Sequence, residues 1–170
     1  MHTVDLRDIL AERGFSPDNS KPLPYSMLYA ARFGSMPQRV NALDGEIASF
    51  NLLFDEVVVP VIRELPGIVA VEGFPKCLAA LARCDDETAA RTELFVSGIE
   101  LANAYSEESE AAVIRQRWSD YNEIRRLRNV PEHPIDEELL VALPAMEGVC
   151  GVALGLERLL LLLPKLCSQS

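Results

Sequence analysis

Residues 92–105 constrain the fold of this chain more than any other stretch. Two runs of alternating apolar and polar residues flank Ser97-Gly98. Period two is the signature of a half-buried strand, and a Ser-Gly pair between two such runs is the chemistry of a tight antiparallel turn. The remaining segments are read around this hairpin. Residues 4–13 have helical spacing through Leu6, Ile9 and Leu10, with Gly14 where a left-handed C-cap sits. Residues 15–37 break regularity with Pro17, Pro22, Pro24, Gly34 and Pro37. A helix over 40–65 carries the stripe Leu43, Ile47, Phe50, Leu53 and Phe54, and Pro60 is expected to break or kink it. Residues 68–71 read as a buried strand and 75–84 as a brief helix or turn. An acidic helix is expected to open near Ser106, with Glu107, Glu108 and Glu110 in its first turns and Ile114, Trp118, Tyr121 and Ile124 on its buried side. A short helix over 136–143, a strand over 149–154, Gly155 and a helix over 156–163 complete the reading. Helices beside an antiparallel hairpin make this an α+β chain, an antiparallel sheet flanked by helices in a single domain. Residues 1–65 form its mainly helical and irregular part, and residues 66–170 hold the sheet.

The chain has 170 residues, 49% hydrophobic and 25% charged, the composition of one ordinary soluble domain with a real core. A net charge of −10 and a pI of about 4.7 argue against direct nucleic-acid binding, which draws on clustered Lys and Arg. Cys77, Cys84, Cys150 and Cys167 have neither zinc-site spacing nor disulfide-scaffold density and read as reduced thiols of a cytoplasmic protein. With only His2 and His133, a histidine triad or histidine metal site is not expected. Charges throughout the first fourteen residues speak against a secretory signal. Residues 149–163, interrupted by Glu157 and Arg158, are too short to cross a bilayer of roughly 30 Å, so they are expected to be a core element and not a membrane anchor.

Two constellations have chemical potential. Glu100, Asn103 and Glu107 lie on or just beyond one strand, and two carboxylates with an amide oxygen suit Mg²⁺ bridging ATP phosphates. A solvent-facing Glu100 and a Glu107 that caps a helix fit the same spacing. Strict alternation sends Glu100 and Asn103 to opposite faces, so a shared site requires a bulge near Leu101 or Ala102. The second constellation is a strand, a glycine and a helix start. Gly151 and Gly155 allow close backbone approach to a ligand. Arg158 falls in the first helical turn, where a phosphate would offset its conflict with the helix dipole. A plain ion pair with Glu157 is the alternative.

Taken together, these segments resemble a known family. Glu93-Leu-Phe-Val-Ser-Gly-Ile-Glu-Leu-Ala-Asn-Ala-Tyr-Ser-Glu107 is similar to the ATP- and Mg²⁺-binding strand of lysyl-tRNA synthetases, and Val152-Ala-Leu-Gly-Leu-Glu-Arg-Leu159 to class II motif 3. His133-Pro-Ile-Asp-Glu-Glu-Leu-Leu-Val-Ala-Leu143 resembles the GenX-type branch, which includes the ligases that lysylate elongation factor P. The resemblance covers about residues 68–163 and implies the C-terminal part of a class II aminoacyl-tRNA-synthetase catalytic fold. It implies ATP on Glu100, Asn103, Gly155 and Arg158, an amino acid at Glu107 and Gly151, and Mg²⁺ on Glu100 and Glu107.

Motif 1, which builds the family's dimer, and the Phe-Arg-x-Glu element of motif 2 have no counterpart among these residues. Arg32-Phe33 and Ile62-Arg63-Glu64 have the wrong arrangement. The resemblance therefore implies a truncated relative with no assigned catalytic residue. It is expected to work with a separate chain supplying motifs 1 and 2, or as a homo-oligomer. Three readings stay open: a lysine-activating ligase, a non-catalytic nucleotide- or amino-acid-binding module, and an interaction scaffold.

Overall fold

The computed structural model describes residues 1–15, 25–34, 39–85 and 88–167, the side chains of 165–167 excepted. The chain runs β1 (His2–Asp5), α1 (Leu6–Glu12), α2 (Tyr25–Phe33), α3 (Ala42–Leu53), a π turn (Phe54–Val58), α4 (Val59–Glu64), β2 (Ile68–Glu72), β3 (Arg91–Val96), β4 (Ile99–Ser106), α5 (Ala111–Leu127), α6 (Glu137–Ala142), β5 (Cys150–Leu154) and α7 (Leu156–Cys167). The strands form one sheet in the order β1-β2-β3-β4-β5. Only the β1–β2 pair is parallel.

The hairpin forms as its alternation requires. Ser97 and Gly98 take φ of +51° and +75°, the paired left-handed conformation of a type I′ turn, whose twist matches its flanking strands. Register then slips once. Leu94 pairs with Ala102 but Phe95 pairs with Glu100, leaving Leu101 as an extra residue on β4. Leu101 and Ala102 are consequently both buried, where strict alternation would have exposed one of them.

Apolar packing covers both faces of the sheet. On one, Phe50 and Leu53 of α3, Val58 of the π turn and Ile62 of α4 pack with Val69, Val71 and Phe95. On the other, Leu162 and Leu159 of α7 pack on Val96, Leu101 and Ile68. A smaller cluster of Ile114, Leu140 and Leu143 joins α5 to α6.

Several expectations need correction. Residues 2–5 form a strand, because β1 pairs with β2 some 65 residues onward, a partner that local periodicity cannot reveal. Within the stretch read as irregular, α2 forms because the Glu46 carboxylate accepts from the N–H groups of Tyr25 (2.7 Å) and Ser26 (3.3 Å); Pro17, Pro22, Pro24 and Pro37 lie outside the described residues. The α-helix over 40–65 is interrupted ahead of Pro60, which sits in the first turn of α4. The π turn ahead of it moves the Val59 N–H onto Phe54 O, and the chain continues into α4. The acidic helix starts at Ala111 and not near Ser106. Glu107 N–H is held by Val149 O at 2.9 Å, beside the end of the β4–β5 ladder, and Glu108 N–H by Leu81 O of the loop before β3 at 2.8 Å, so both are engaged outside the helix. Finally, α7 runs to Cys167, past Pro164.

Replacing Gly98 tests the turn. An added Cβ would be forced into the left-handed region and would stand 3.1 Å from Arg63 Cβ. Gly98→Ala should lower the unfolding free energy by about 1–2 kcal/mol, read as a lower urea midpoint at unchanged slope.

Candidate nucleotide and amino-acid site

The slip at Leu101 determines which side chains meet. Past it, Asn103 and Glu100 project from the same face, the one packed by α3 and the π turn, while Leu101 and Ala102 turn towards α7. That face carries a cleft of about 650 Å³ lined by Phe50, Phe54, Phe74, Phe95, Arg91, Glu93, Glu100 and Arg158, among others. Glu100 and Arg158, predicted from sequence, thus share a cavity.

Arg158 ends beside Glu100, with Nη1 3.0 Å from the Glu100 carboxylate and 2.8 Å from its backbone oxygen. The adjacent Glu157 is not the partner in this contact. The two side chains are 51% and 35% exposed, and an ion pair so open to water is worth roughly 0–1 kcal/mol. Gly155 caps α7 as its N–H donates to Leu101 O and its carbonyl accepts from Leu159 N–H, at 2.9 and 2.8 Å.

Asn103 is engaged as a strut. Its Oδ1 accepts from Arg91 Nε at 3.3 Å and its Nδ2 donates to Glu93 Oε1 at 3.1 Å. Arg91 also pairs with the Glu93 carboxylate, donates to Leu78 O at 2.8 Å, and places its guanidinium 4.7 Å from the Phe74 ring centre. Burial raises the pKa of Glu93 above the usual carboxylate range. Arg91 pulls it back down, whereas the charge of Glu100 pushes it up. Sequence reasoning passed over Arg91, although Arg91, Glu93 and Phe95 occupy alternate positions of β3 and so share the cleft face.

Glu107 and Gly151 form a separate contact. A Cβ at Gly151 would run into Glu107 Oε1, so glycine makes the room this carboxylate occupies. Glu107 is seven positions on from Glu100, up to roughly 23 Å at about 3.3 Å per residue. In the free chain the Glu100 carboxylate is paired with Arg158. Among the described residues no group of three or more His, Cys, Asp or Glu side chains is arranged to hold a metal. A Mg²⁺ bound at Glu100 would therefore take its other oxygens from water and phosphate, as this ion commonly does. A carboxylate and a half-exposed guanidinium at one cleft rim match the two halves of a metal–phosphate group. No described helix is long and apolar enough to cross a membrane.

A mostly antiparallel sheet with a strand–glycine–helix element at its edge is the architecture of a partial class II synthetase-like domain. Comparison with known proteins makes the class more specific. The chain is 42% identical over 117 residues to the "Elongation factor P--(R)-beta-lysine ligase" of Haemophilus influenzae (strain PittGG), a match to 66% of this chain and 36% of the relative. It is 43% identical over 117 residues to the protein of the same name from Edwardsiella ictaluri (strain 93-146), covering 66% of this chain and 35% of that one. This part of the chain is thus homologous to GenX-type ligases of the lysyl-tRNA-synthetase-like class II kind. The chain spans about a third of the length of these curated relatives. No family model matches it.

Glu93 provides a test that needs no ligand. Its raised pKa means that the fold favours the protonated carboxyl, so this contribution to stability is present below the unfolded value of 4.5 and is lost as pH rises through the folded one. Glu93→Gln cannot titrate. The wild-type melting temperature, measured relative to this variant, should fall as pH is raised from 4 to 8.

Proposed function

We propose that this chain carries the motif-3 half of a lysine-activating ligase site, which binds ATP with Mg²⁺ and positions lysine or a lysine-like amino acid for ligation. The Glu100–Arg158 pair at the rim of the cleft supports this reading most directly. Both groups are neutralised by each other at little cost, and Mg²⁺-bound ATP offers a better partner to each, the metal to Glu100 and a phosphate oxygen to Arg158. Arg91, Glu93 and Asn103 hold the floor beneath them. Glu107, seated against Gly151, presents a carboxylate suited to an amino-acid ammonium. When bound, Mg²⁺ supplies charge neutralisation of the phosphates; the chain's residues bind and orient.

Adenylate formation concentrates negative charge at the α-phosphorus, and losing one preorganised donor there commonly costs 10²–10³ in rate. These residues contain no Phe-Arg-x-Glu element, so the reading includes a further segment or a separate chain that supplies the α-phosphate arginine. The purified chain alone is then expected to show no lysine-dependent pyrophosphate exchange above background. Robust exchange, lost in Glu107→Gln, would show that the site is complete without that arginine.

Binding is tested by calorimetric titration with ATP. Arg158→Ala removes a charge-assisted contact worth about 1.5–3 kcal/mol, so affinity should drop roughly ten- to a hundredfold. Glu100→Gln should weaken binding in Mg²⁺. In EDTA it should leave binding unchanged or tighten it, because the variant releases Arg158 from its competing carboxylate. Equal affinity of the wild type and both variants places the nucleotide elsewhere.

A further inference from the structure

On the cleft face, three segments of the chain share one side chain. Arg91 donates from Nε to Asn103 Oδ1 of β4 at 3.3 Å, from Nη1 to Leu78 O of the loop after β2 at 2.8 Å, and from Nη2 to the Glu93 carboxylate of β3. Its guanidinium also lies 4.7 and 5.7 Å from the ring centres of Phe74 and Tyr105. The side chain is only 15% exposed. Each acceptor takes a different nitrogen of a rigid planar group, so the contacts fix the rotation of the guanidinium as well as its position. A lysine ammonium carries the same charge on one atom and cannot reach three acceptors arranged around that plane.

Asn103 faces Glu93 across the β3–β4 ladder, and Arg91 reaches it from the diagonal position, opposite Tyr105. An asparagine amide has two orientations, related by a half turn about its Cβ–Cγ bond. Arg91 Nε–H only donates, so the amide oxygen must face it. Nδ2 then meets Glu93 Oε1 at 3.1 Å. Glu93 alone would leave the choice open, because burial favours its protonated form, and a protonated carboxyl donates as well as accepts. Arginine keeps its proton. In the flipped orientation the amide NH₂ would stand against Nε–H, with neither group able to accept. The network uses one donor and one acceptor of the amide, and the second N–H and the second lone pair of Oδ1 keep a fixed sense.

We infer that Arg91 is a positioning residue of the candidate site: it locks the side-chain amide of Asn103, so that the donor and acceptor left on that amide meet a ligand in one orientation. The inference rests on reading this face as a ligand site, whereas the lock itself is a property of the free chain. Arg91 acts through Asn103. A polar group ordered before binding spares the ligand the cost of ordering it, and such order comes from a supporting shell of hydrogen bonds.

Side-chain amide resonances of the ¹⁵N-labelled chain test it without nucleotide. In the wild type the two Nδ2 protons of Asn103 should be widely separated, the one on Glu93 displaced downfield, and Arg91 Nε–H should exchange slowly with water. Arg91→Lys keeps the charge beside Glu93, and a role of charge alone would survive it. The expected result is that the Asn103 pair collapses towards the shifts of a free amide and exchanges about three- to tenfold faster. Glu93→Gln leaves the Nε–H contact in place and should keep the pair ordered. Asn103 signals unchanged in Arg91→Lys overturn the inference, as does a free-amide pattern in the wild type. Disorder of the pair in Glu93→Gln assigns the role to Glu93 and overturns it as well. If Arg91→Lys fails to fold, the wild-type Nε–H decides: protection supports the lock, and exchange at the rate of a free arginine overturns it. Calorimetry with ATP and Mg²⁺ on the same samples is a separate arm. Absence of binding in the wild type counts against the nucleotide reading and leaves the spectroscopic outcome standing.

Discussion

A single inserted residue organises the cleft-bearing half of this molecule. Because side chains alternate with a period of two, any two positions separated by an odd number of residues lie on opposite faces of a regular strand. Glu100 and Asn103 are three apart. The slip at Leu101 reverses the alternation once, bringing Glu100 into line with Asn103, Tyr105 and Glu107. It also leaves two consecutive apolar residues, Leu101 and Ala102, each less than a tenth exposed, and Leu101 packs against Leu162 of α7. The same bulge therefore assembles the polar face and anchors the helix that brings Arg158 to it.

Below that rim, the buried polar network is held at both ends. Burying a carboxylate such as Glu93 is costly unless it is paired and hydrogen-bonded. Here Arg91 and Asn103 both reach it, and Arg91 is itself fixed by Leu78 O and by the faces of Phe74 and Tyr105. The network ties β3 to β4 and to the loop after β2. The rim pair Glu100–Arg158 lies in water and is weakly coupled. Rigid support beneath an exchangeable pair is the division of labour expected of a binding surface.

What could be read from the sequence follows the range of the interactions. The hairpin at Ser97-Gly98, the strand–Gly155–helix element and the need for a bulge near Leu101 are local, and each is written in alternation, turn chemistry or parity. The strand β1, the cap of α2 by Glu46 and the contact of Arg158 with Glu100 depend on partners 20 or more residues away. Proximity in sequence favoured Glu157 as the partner of Arg158. The fold favours Glu100 because Gly155 N–H is bonded to Leu101 O, which seats the first turn of α7 beside the bulge. The late start of α5 has the same origin. Acidic residues suit a helix N-terminus, but the backbone N–H of Glu107 is claimed by Val149 O and that of Glu108 by Leu81 O.

An acidic chain that is proposed to bind a polyphosphate poses an electrostatic problem, and the site's composition suggests how it is met. Around the cleft, Asp55, Glu93 and Glu100 stand against Arg91 and Arg158, within a chain of net charge −10. Arg91 is committed to Glu93, leaving Arg158 as the cation at the rim with a displaceable partner. A free triphosphate would meet more negative than positive charge there. With a divalent ion bound, Glu100 would hold it as a ligand and would no longer act as a repulsive neighbour, and Arg158 would be free to meet a phosphate, which would reverse that balance locally. The acidity that argues against nucleic acid therefore does not argue against nucleotide. On the proposed reading a metal would be the condition for binding, so the Mg²⁺ dependence of ATP affinity bears more directly on this site than affinity measured under one set of conditions.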